Sequence, residues 1–380
     1  MDFELSTIER DLKDAAREFA EKEFPEKASE YDEREEFPRE LWRKAHEHGF
    51  IGVFIPEKYG GAGLGLLHHA IINEEFWRVD PGLGQAILAT TFGSEMLILF
   101  GSEEQKERYL PRLARGEAIC GFCITEPDAG SDVAGARTTA VRKGDKFVLN
   151  GSKIFITNGT IADFVLVFAL TNPDGPVHGR HSVLIVDTST AGFEADKLKG
   201  KMGIRASDTA EISFHDVEVP AENLVGAEGE GFKQLMSFFN VTRPFVAAQG
   251  VGVAQGALEK IISHVRERRQ FGRPLAEFEF VQFKVAELAT KIEAARGLYM
   301  RAALAVDKGK PDPLLSSMAK WYAGEVGVEA SDWAVQLHGG YGYIREYGVE
   351  KLYRDAKIVE IYEGAKEIEK LIIGRKLLKL

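Results

Sequence analysis

Thr125-Glu-Pro-Asp-Ala-Gly-Ser-Asp132 gathers hydroxyls, carboxylates, a proline and a glycine in one short segment. A turn of that composition presents backbone N–H and hydroxyl donors, which suits an anionic or polar ligand. An ordinary solvated turn has the same composition, so the segment alone leaves both readings open. Cys120-Gly-Phe-Cys123 has the spacing of a redox or half-zinc motif. No second pair accompanies it, and a strand sends positions three apart to opposite faces, so two structural thiols are expected. Gly250-Val-Gly-Val-Ala-Gln-Gly256 imitates a dinucleotide fingerprint. That fingerprint needs a strand before it and a helix after it, whereas these glycines interrupt a helical pattern, so close helix packing is expected instead. The histidines show no metal-ligand spacing; His68-His69 reads as an exposed or partly satisfied helix pair, and no metal site is expected.

Three blocks of pattern must position these residues. Residues 1–118 read as helical: Ser6 and Glu9 form a capping box, and Leu5, Ile8, Leu12, Ala15 and Phe19 recur at three- and four-residue spacing. Pro25 ends that helix, Pro38 and Gly49 bracket another, and a glycine-rich loop runs from Tyr59 to Gly65. Residues 119–228 change character. Short runs rich in Val, Ile, Phe and Thr, from Ile119 through Lys146, Lys153, Phe164, Ser182 and Glu211, alternate with turn signals and leave no room for crossover helices. An antiparallel β domain is expected. Residues 229–380 return to helical spacing, with Val281, Val285, Leu288, Ile292, Ala295, Tyr299, Ala302 and Val306 forming the seam of a bundle helix. The expected fold is therefore multi-domain α+β: an N-terminal α-helical domain, a middle antiparallel β domain and a C-terminal four-helix bundle.

The chain of 380 residues carries 48 Lys and Arg against 59 Asp and Glu, a net charge of −11, with 44% hydrophobic residues. Ordinary apolar content at this length implies a globular protein with a sizeable core. The acidic balance and the absence of a basic cluster argue against nucleic acid as a partner. Two cysteines cannot build a disulfide framework, and the acidic, amphipathic start is neither a secretory signal nor a typical transit peptide, so a reducing, cytoplasmic location is expected. Runs such as Phe164 to Leu170 are far shorter than the ~20 residues that span a bilayer, and no membrane insertion is expected.

Further motifs accompany Thr125–Asp132 in a fixed order: Phe155-Ile-Thr-Asn-Gly159, Arg268-Arg-Gln-Phe-Gly272, Gln336-Leu-His-Gly-Gly-Tyr-Gly342, Arg354-Asp-Ala-Lys357 and Ile361-Tyr-Glu-Gly364. Together they resemble the acyl-CoA dehydrogenase family over the full length. The resemblance implies FAD between the middle domain and the bundle, with an acyl-CoA thioester against its ring. It implies that Phe122, Ile124, Thr125 and Ser131 border the flavin, Ser131 also nearing the CoA, and that Phe155, Ile156 and Thr157 flank the other ring face. Arg268, Gln270 and Phe271, with Gln336, Gly339 and Gly340, would hold the adenine nucleotide half from a neighbouring subunit, and Ala365 and Glu367 would lie in the flavin environment.

By the same resemblance Glu363 is the base that takes the α-proton while the β-hydrogen leaves as hydride to the flavin. Its backbone N–H would polarise the thioester carbonyl, Tyr362 and Gly364 would adjoin the substrate, and Asn240 and Arg243 would contact CoA, Arg243 near phosphate. Thr242 stands where some relatives carry the base as Glu, which disfavours that arrangement. Gly84–Thr91, expected along the acyl tail, contains no Arg or Lys, which suits an apolar acyl group, straight, branched or alicyclic, and not a glutaryl-type chain. Phe155 replaces a frequent Trp, Ala365 a frequent Thr and Glu279 a usual Gln, and Lys366 and Glu367 stand where small or polar residues are frequent. The implied partners are an electron-transferring flavoprotein and further copies of the chain in a homotetramer. An acyl-CoA oxidase, an enoyl-CoA reductase and a non-catalytic acyl-CoA or flavin-binding subunit are the alternatives.

Overall fold

The computed structural model describes residues 4–380. Among the described residues seven α-helices come first: α1 (Thr7–Glu23), α2 (Pro25–Arg34), α3 (Arg39–Glu47), α4 (Leu66–Val79), α5 (Pro81–Leu88), α6 (Ser94–Phe100) and α7 (Glu103–Ala114). The Ser6–Glu9 capping box starts α1, as its spacing predicts, and Pro25 opens α2 at a first-turn position where its missing N–H costs nothing. The apolar stretch Pro81–Phe100 has the length and mean hydropathy, 1.4, of a membrane span, yet it is broken between α5 and α6 and is 72% buried inside the fold. It is a core segment.

The middle of the chain forms β1 (Cys120–Cys123), β2 (Thr139–Lys143), β3 (Lys146–Thr157), β4 (Phe164–Leu170), β5 (His181–Asp187), β6 (Phe193–Lys197), β7 (Thr209–Pro220) and β8 (Leu224–Val225). The order across the sheet is β6-β7-β3-β2-β4-β5-β8, with β1 on β4. Most pairings are antiparallel, as expected, but β1 and β2 each meet β4 in parallel, so the sheet is mixed. The two runs at Lys146 and Lys153 are also one strand: β3 passes through irregularities between Leu149 and Gly151 and between Lys153 and Ile156. Such bulges re-aim the strand end that carries Phe155, whose φ is +60°. Cys120 and Cys123 fall in different hydrophobic clusters on the two faces of β1, both buried and free, consistent with structural thiols.

The C-terminal part comprises α8 (Gly231–Glu267), the short pair β9 (Arg269–Gln270) and β10 (Arg273–Pro274), α9 (Glu279–Asp307), α10 (Pro313–His338), α11 (Val349–Ala356) and α12 (Lys366–Leu378). α8 is the axle of the molecule, sharing one hydrophobic cluster with α4, α9 and α10. Its glycines explain the close approach: a Cβ at Gly250 would stand 2.6 Å from the Ala323 carbonyl oxygen of α10, and one at Gly256 would overlap the Arg78 carbonyl oxygen of α4. The false fingerprint is a packing surface. His69 departs from expectation, being only 2% exposed inside α4, where burial lowers its pKa to about 4 and its Nε2 meets Asn73 Nδ2 at 3.2 Å.

Candidate active site

Glu363 lies in the connection between α11 and α12, with φ +56°, followed by Gly364 at φ +104°. Two left-handed residues in succession turn the chain sharply and bring the Glu363 carboxyl against α8. There Thr242 Oγ1 donates to Glu363 Oε2 at 2.7 Å, while the same hydroxyl lies 3.2 Å from the Phe238 carbonyl one turn earlier. Arg243 Nε donates to the Glu363 carbonyl oxygen at 3.2 Å, and a second guanidinium nitrogen meets Glu369 Oε1 at 2.9 Å. Lys320 of α10, fully buried, donates its Nζ to the Gly364 carbonyl oxygen.

These contacts set opposing pulls on a half-buried carboxyl. Burial raises Glu363 to about 7; the Thr242 hydroxyl and the charges of Arg243 and Lys320 act downward, and Glu369 acts upward. Lys320 is itself lowered to about 8, chiefly by burial, and Glu369 is raised by burial. A carboxyl poised near neutrality can hold or accept a proton at physiological pH. Among the described residues no carbonyl or side chain accepts from the Glu363 N–H, which leaves it available as a donor beside that carboxyl.

The adjoining Tyr362 hydroxyl donates to Gln249 Oε1, and Gln249 Nε2 continues to Gln85 Oε1 at 3.0 Å and Asn73 Oδ1 at 3.2 Å. A line of satisfied polar groups therefore ties the Glu363 loop to α8, α5 and α4. Gly84 to Leu88 are buried throughout. Across α8, Phe238 meets Phe92 at 5.4 Å and Phe122 of β1 at 5.1 Å, so the sheet edge abuts the helix one turn from Thr242.

On that edge the Thr125–Asp132 turn is built from inside. Glu126 accepts from the main-chain N–H of Arg137 (2.6 Å) and Thr138 (2.9 Å) and from Lys153 Nζ (2.8 Å), and Lys153 also donates to the Ile124 carbonyl at 2.9 Å. The buried Lys153–Glu126 pair fixes the turn, leaving Ser131 exposed and Ile124 and Thr125 half-buried. Phe155 is 66% exposed, with Thr157 half-buried beyond it. The Phe122 and Ile156 side chains are instead committed to the core, so at those two positions only the main chain can meet a ligand.

A second group gathers far away. His264, Arg268, Gln270, Gln336, Gly339 and Gly340 line a groove of about 450 Å³, and Phe271 stands 92% exposed on the adjoining β9–β10 turn. Neither Gly339 nor Gly340 has an atom within 4 Å of where a Cβ would be, so bare main chain faces open space. Arg268 follows Thr242 by 26 residues, about 39 Å along α8. Within one chain the expected contacts thus fall into two sets farther apart than a dinucleotide can reach.

Arg243 is the clearest departure from the expected roles. Its side chain is 6% exposed, and its guanidinium is engaged by Glu369 and the Glu363 carbonyl over the Phe239 ring, so it serves the loop and not a CoA phosphate. Asn240 is half-buried, and its carbonyl accepts from Ser316 Oγ at 3.0 Å. Ala365 ends the loop as the residue before α12, and Glu367 is exposed in that helix's first turn. Thr242 as a partner of Glu363, with Lys320, Glu369 and Glu95, escaped the sequence reading. Glu95 of α6 is 3% exposed, accepts from the Gly93 N–H at 3.0 Å, and is raised to about 8, first by burial and in small part by the charge of Glu363. An acidic residue in the first turn of α6 was the only signal for it in the sequence.

A helical domain, a mixed β domain and a helical bundle meet around a carboxyl poised near neutrality, an arrangement suited to an enzyme that moves a proton. Three family models cover the chain: the acyl-CoA dehydrogenase N-terminal domain over residues 6–117, middle domain over 121–217 and C-terminal domain over 229–378. The chain belongs to the acyl-CoA dehydrogenase family. It is 44% identical to an acyl-CoA dehydrogenase of Bacillus subtilis, over 97% of both chains. Butyryl-CoA dehydrogenase from Megasphaera elsdenii superposes with a TM-score of 0.96 at 40% identity over 100% of both chains. A chain from a structural study of the electron transferring flavoprotein of Acidaminococcus fermentans gives 0.97 at 45% identity, again over 100% of both. The cofactor of the family is FAD, and a glutaryl-CoA dehydrogenase from Mycobacterium smegmatis (TM-score 0.92, 30% identity, 99% of this chain and 96% of that one) was solved with FADH2. The groove fits the nucleotide half of such a group: one guanidinium, two amides and unshielded glycine main chain are the donors a pyrophosphate and a base require.

Proposed function

We propose that the protein dehydrogenates an apolar acyl-CoA thioester to the 2-enoyl-CoA with Glu363 as the base, and passes the electrons to an electron-transferring flavoprotein. The observation that carries this reading is the raised, half-buried Glu363 carboxyl beside an unpaired N–H. The carboxylate takes the proton from the carbon next to the thioester carbonyl, and the N–H donates to the carbonyl oxygen as it gains enolate character. FAD, when bound, supplies the acceptor for the hydride leaving the next carbon. Thr125, Ser131, Phe155 and Thr157 would meet the flavin end, with the main chain of Phe122, Ile124 and Ile156. Arg268, Gln270, Phe271, Gln336, Gly339 and Gly340 would hold the nucleotide half, on FAD bound mainly by a second copy in a homotetramer.

The acyl group would lie along the buried Gly84–Leu88 segment, which contains no cation and whose one amide, Gln85, is already engaged by Gln249. This favours straight, branched or alicyclic chains over a distal carboxylate. A cytoplasmic site of action accords with two free buried thiols. Glu363→Gln tests the reading. The variant is expected to retain FAD and CoA-thioester binding while anaerobic flavin bleaching falls by several orders of magnitude. The substrates for that test are butyryl-, octanoyl-, isobutyryl- and cyclohexanecarbonyl-CoA. Bleaching at a near wild-type rate would overturn the assignment of the base.

A further inference from the structure

Three helices each deliver one charge to the Glu363 loop. Arg243 comes from α8, Lys320 from α10 and Glu369 from α12, and all three side chains are buried. Their contacts interlock: Lys320 grips the Gly364 carbonyl, Arg243 grips the Glu363 carbonyl, and Glu369 grips Arg243 from behind at 2.9 Å. Glu369 also fills the space beside Gly364, where a Cβ would collide with Oε1 and stand 3.1 Å from an Arg243 nitrogen. Burying three charges is expensive unless each has a partner. Here the two cations take the two carbonyls of the left-handed turn as partners, and Glu369 takes Arg243.

We propose that Lys320 and Glu369 are positioning residues for Glu363: Lys320 locks the carbonyl of Gly364, Glu369 holds Arg243 under the carbonyl of Glu363, and their opposite charges bias the Glu363 proton in opposite senses. The proposal rests on Glu363 being the base. The signs follow from the charges. Glu369 opposes a second negative charge nearby, whereas Lys320 favours it. The other ionisable groups facing the carboxyl are Arg243, Glu95 of α6 and Tyr362 of the loop itself, and Glu360 faces Lys320 from the turn before the loop.

The experiment uses the FAD-loaded enzyme and its E369Q and K320M variants. For each, the pH at which anaerobic flavin bleaching by butyryl-CoA reaches half its maximal second-order rate is measured, with FAD content and melting temperature alongside. E369Q is expected to move that midpoint down by about 1 pH unit, because two cations then face one carboxylate, and K320M to move it up by about as much. A purely structural role would lower rate or stability and leave the midpoint in place; unmoved midpoints, or midpoints moving in the same direction, overturn the proposal. Should E369Q fail to fold, K320M decides alone: an upward shift supports and an unmoved midpoint refutes. Glu363→Gln separates the two layers. If it bleaches normally the base assignment fails, whereas an inactive E363Q with unmoved E369Q and K320M midpoints defeats the positioning proposal only.

Discussion

Glu363 is held between burial, which keeps its proton on, and a hydroxyl and two cations that pull it off. The proposed base must be ionised to accept a proton, so kcat/KM for the best thioester is expected to fall as pH drops through about 7, a limb that reports the free enzyme. Thr242→Val deletes a hydrogen bond that favours the charged form, so the limb should move to higher pH while the alkaline plateau is kept. A pH–rate series for both proteins decides this, and a limb that moves down would reverse the role given to the hydroxyl. Glu363 was legible from its motif. Its partners were not, because Thr242 lies 121 residues away and its type gives no hint of that contact. Arg243 was legible as a cation, but only the fold reveals that Glu369 already occupies it.

At the level of elements, periodicity and punctuation carried most of the reading, because the strands and helices that enclose the site have clean apolar patterns. What periodicity lacks is information about partners. The bulges in β3 and the parallel seating of β1 depend on pairings across the sheet, and the cap of α4 depends on a residue 241 positions away: Asp307, ending α9, accepts from Leu66 N–H at 2.6 Å and Leu67 N–H at 3.0 Å. The second distance comes from the other oxygen of the same carboxylate. Asp307→Ala should cost about 1 kcal/mol, the usual value of a helix cap, measurable as a lowered denaturation midpoint at unchanged slope. The glycine stripe of α8 makes a stronger prediction. A methyl at Gly256 has no space before the Arg78 carbonyl, and main chain cannot swing aside as a side chain can. Gly256→Ala should therefore destabilise by about 2 kcal/mol or more, despite the higher helix propensity of alanine, by wedging α4 from α8. Gly297 of α9, with open space around it, is the control that should gain or hold stability on the same change.

For the whole molecule the decisive quantity is the length of α8. The Glu363 site sits beside Thr242, about a third of the way along α8, and the Arg268 groove lies at the helix's C-terminal end, about 39 Å farther on. A cofactor whose isoalloxazine end meets Glu363 cannot reach its own chain's Arg268, so the proposed site is completed by the Arg268 of another copy. Exposed aromatic surface beside the groove, at Phe271, Tyr341 and Tyr343, is the kind of area that such an assembly covers. The consequence is a complementation. Arg268→Gln removes a charged contact worth about 1.5–3 kcal/mol and should weaken FAD retention, read as the ratio of flavin to protein absorbance after desalting. Glu363→Gln keeps FAD but loses the base. When the two variants are unfolded together and reassembled, a site whose Glu363 comes from the R268Q chain receives an intact Arg268 from the E363Q chain and is fully wild-type. Mixed assemblies should therefore recover dehydrogenation at subsaturating FAD, which neither variant shows alone. If both residues served the same cofactor within one chain, every site in the mixture would stay defective and mixing would recover nothing.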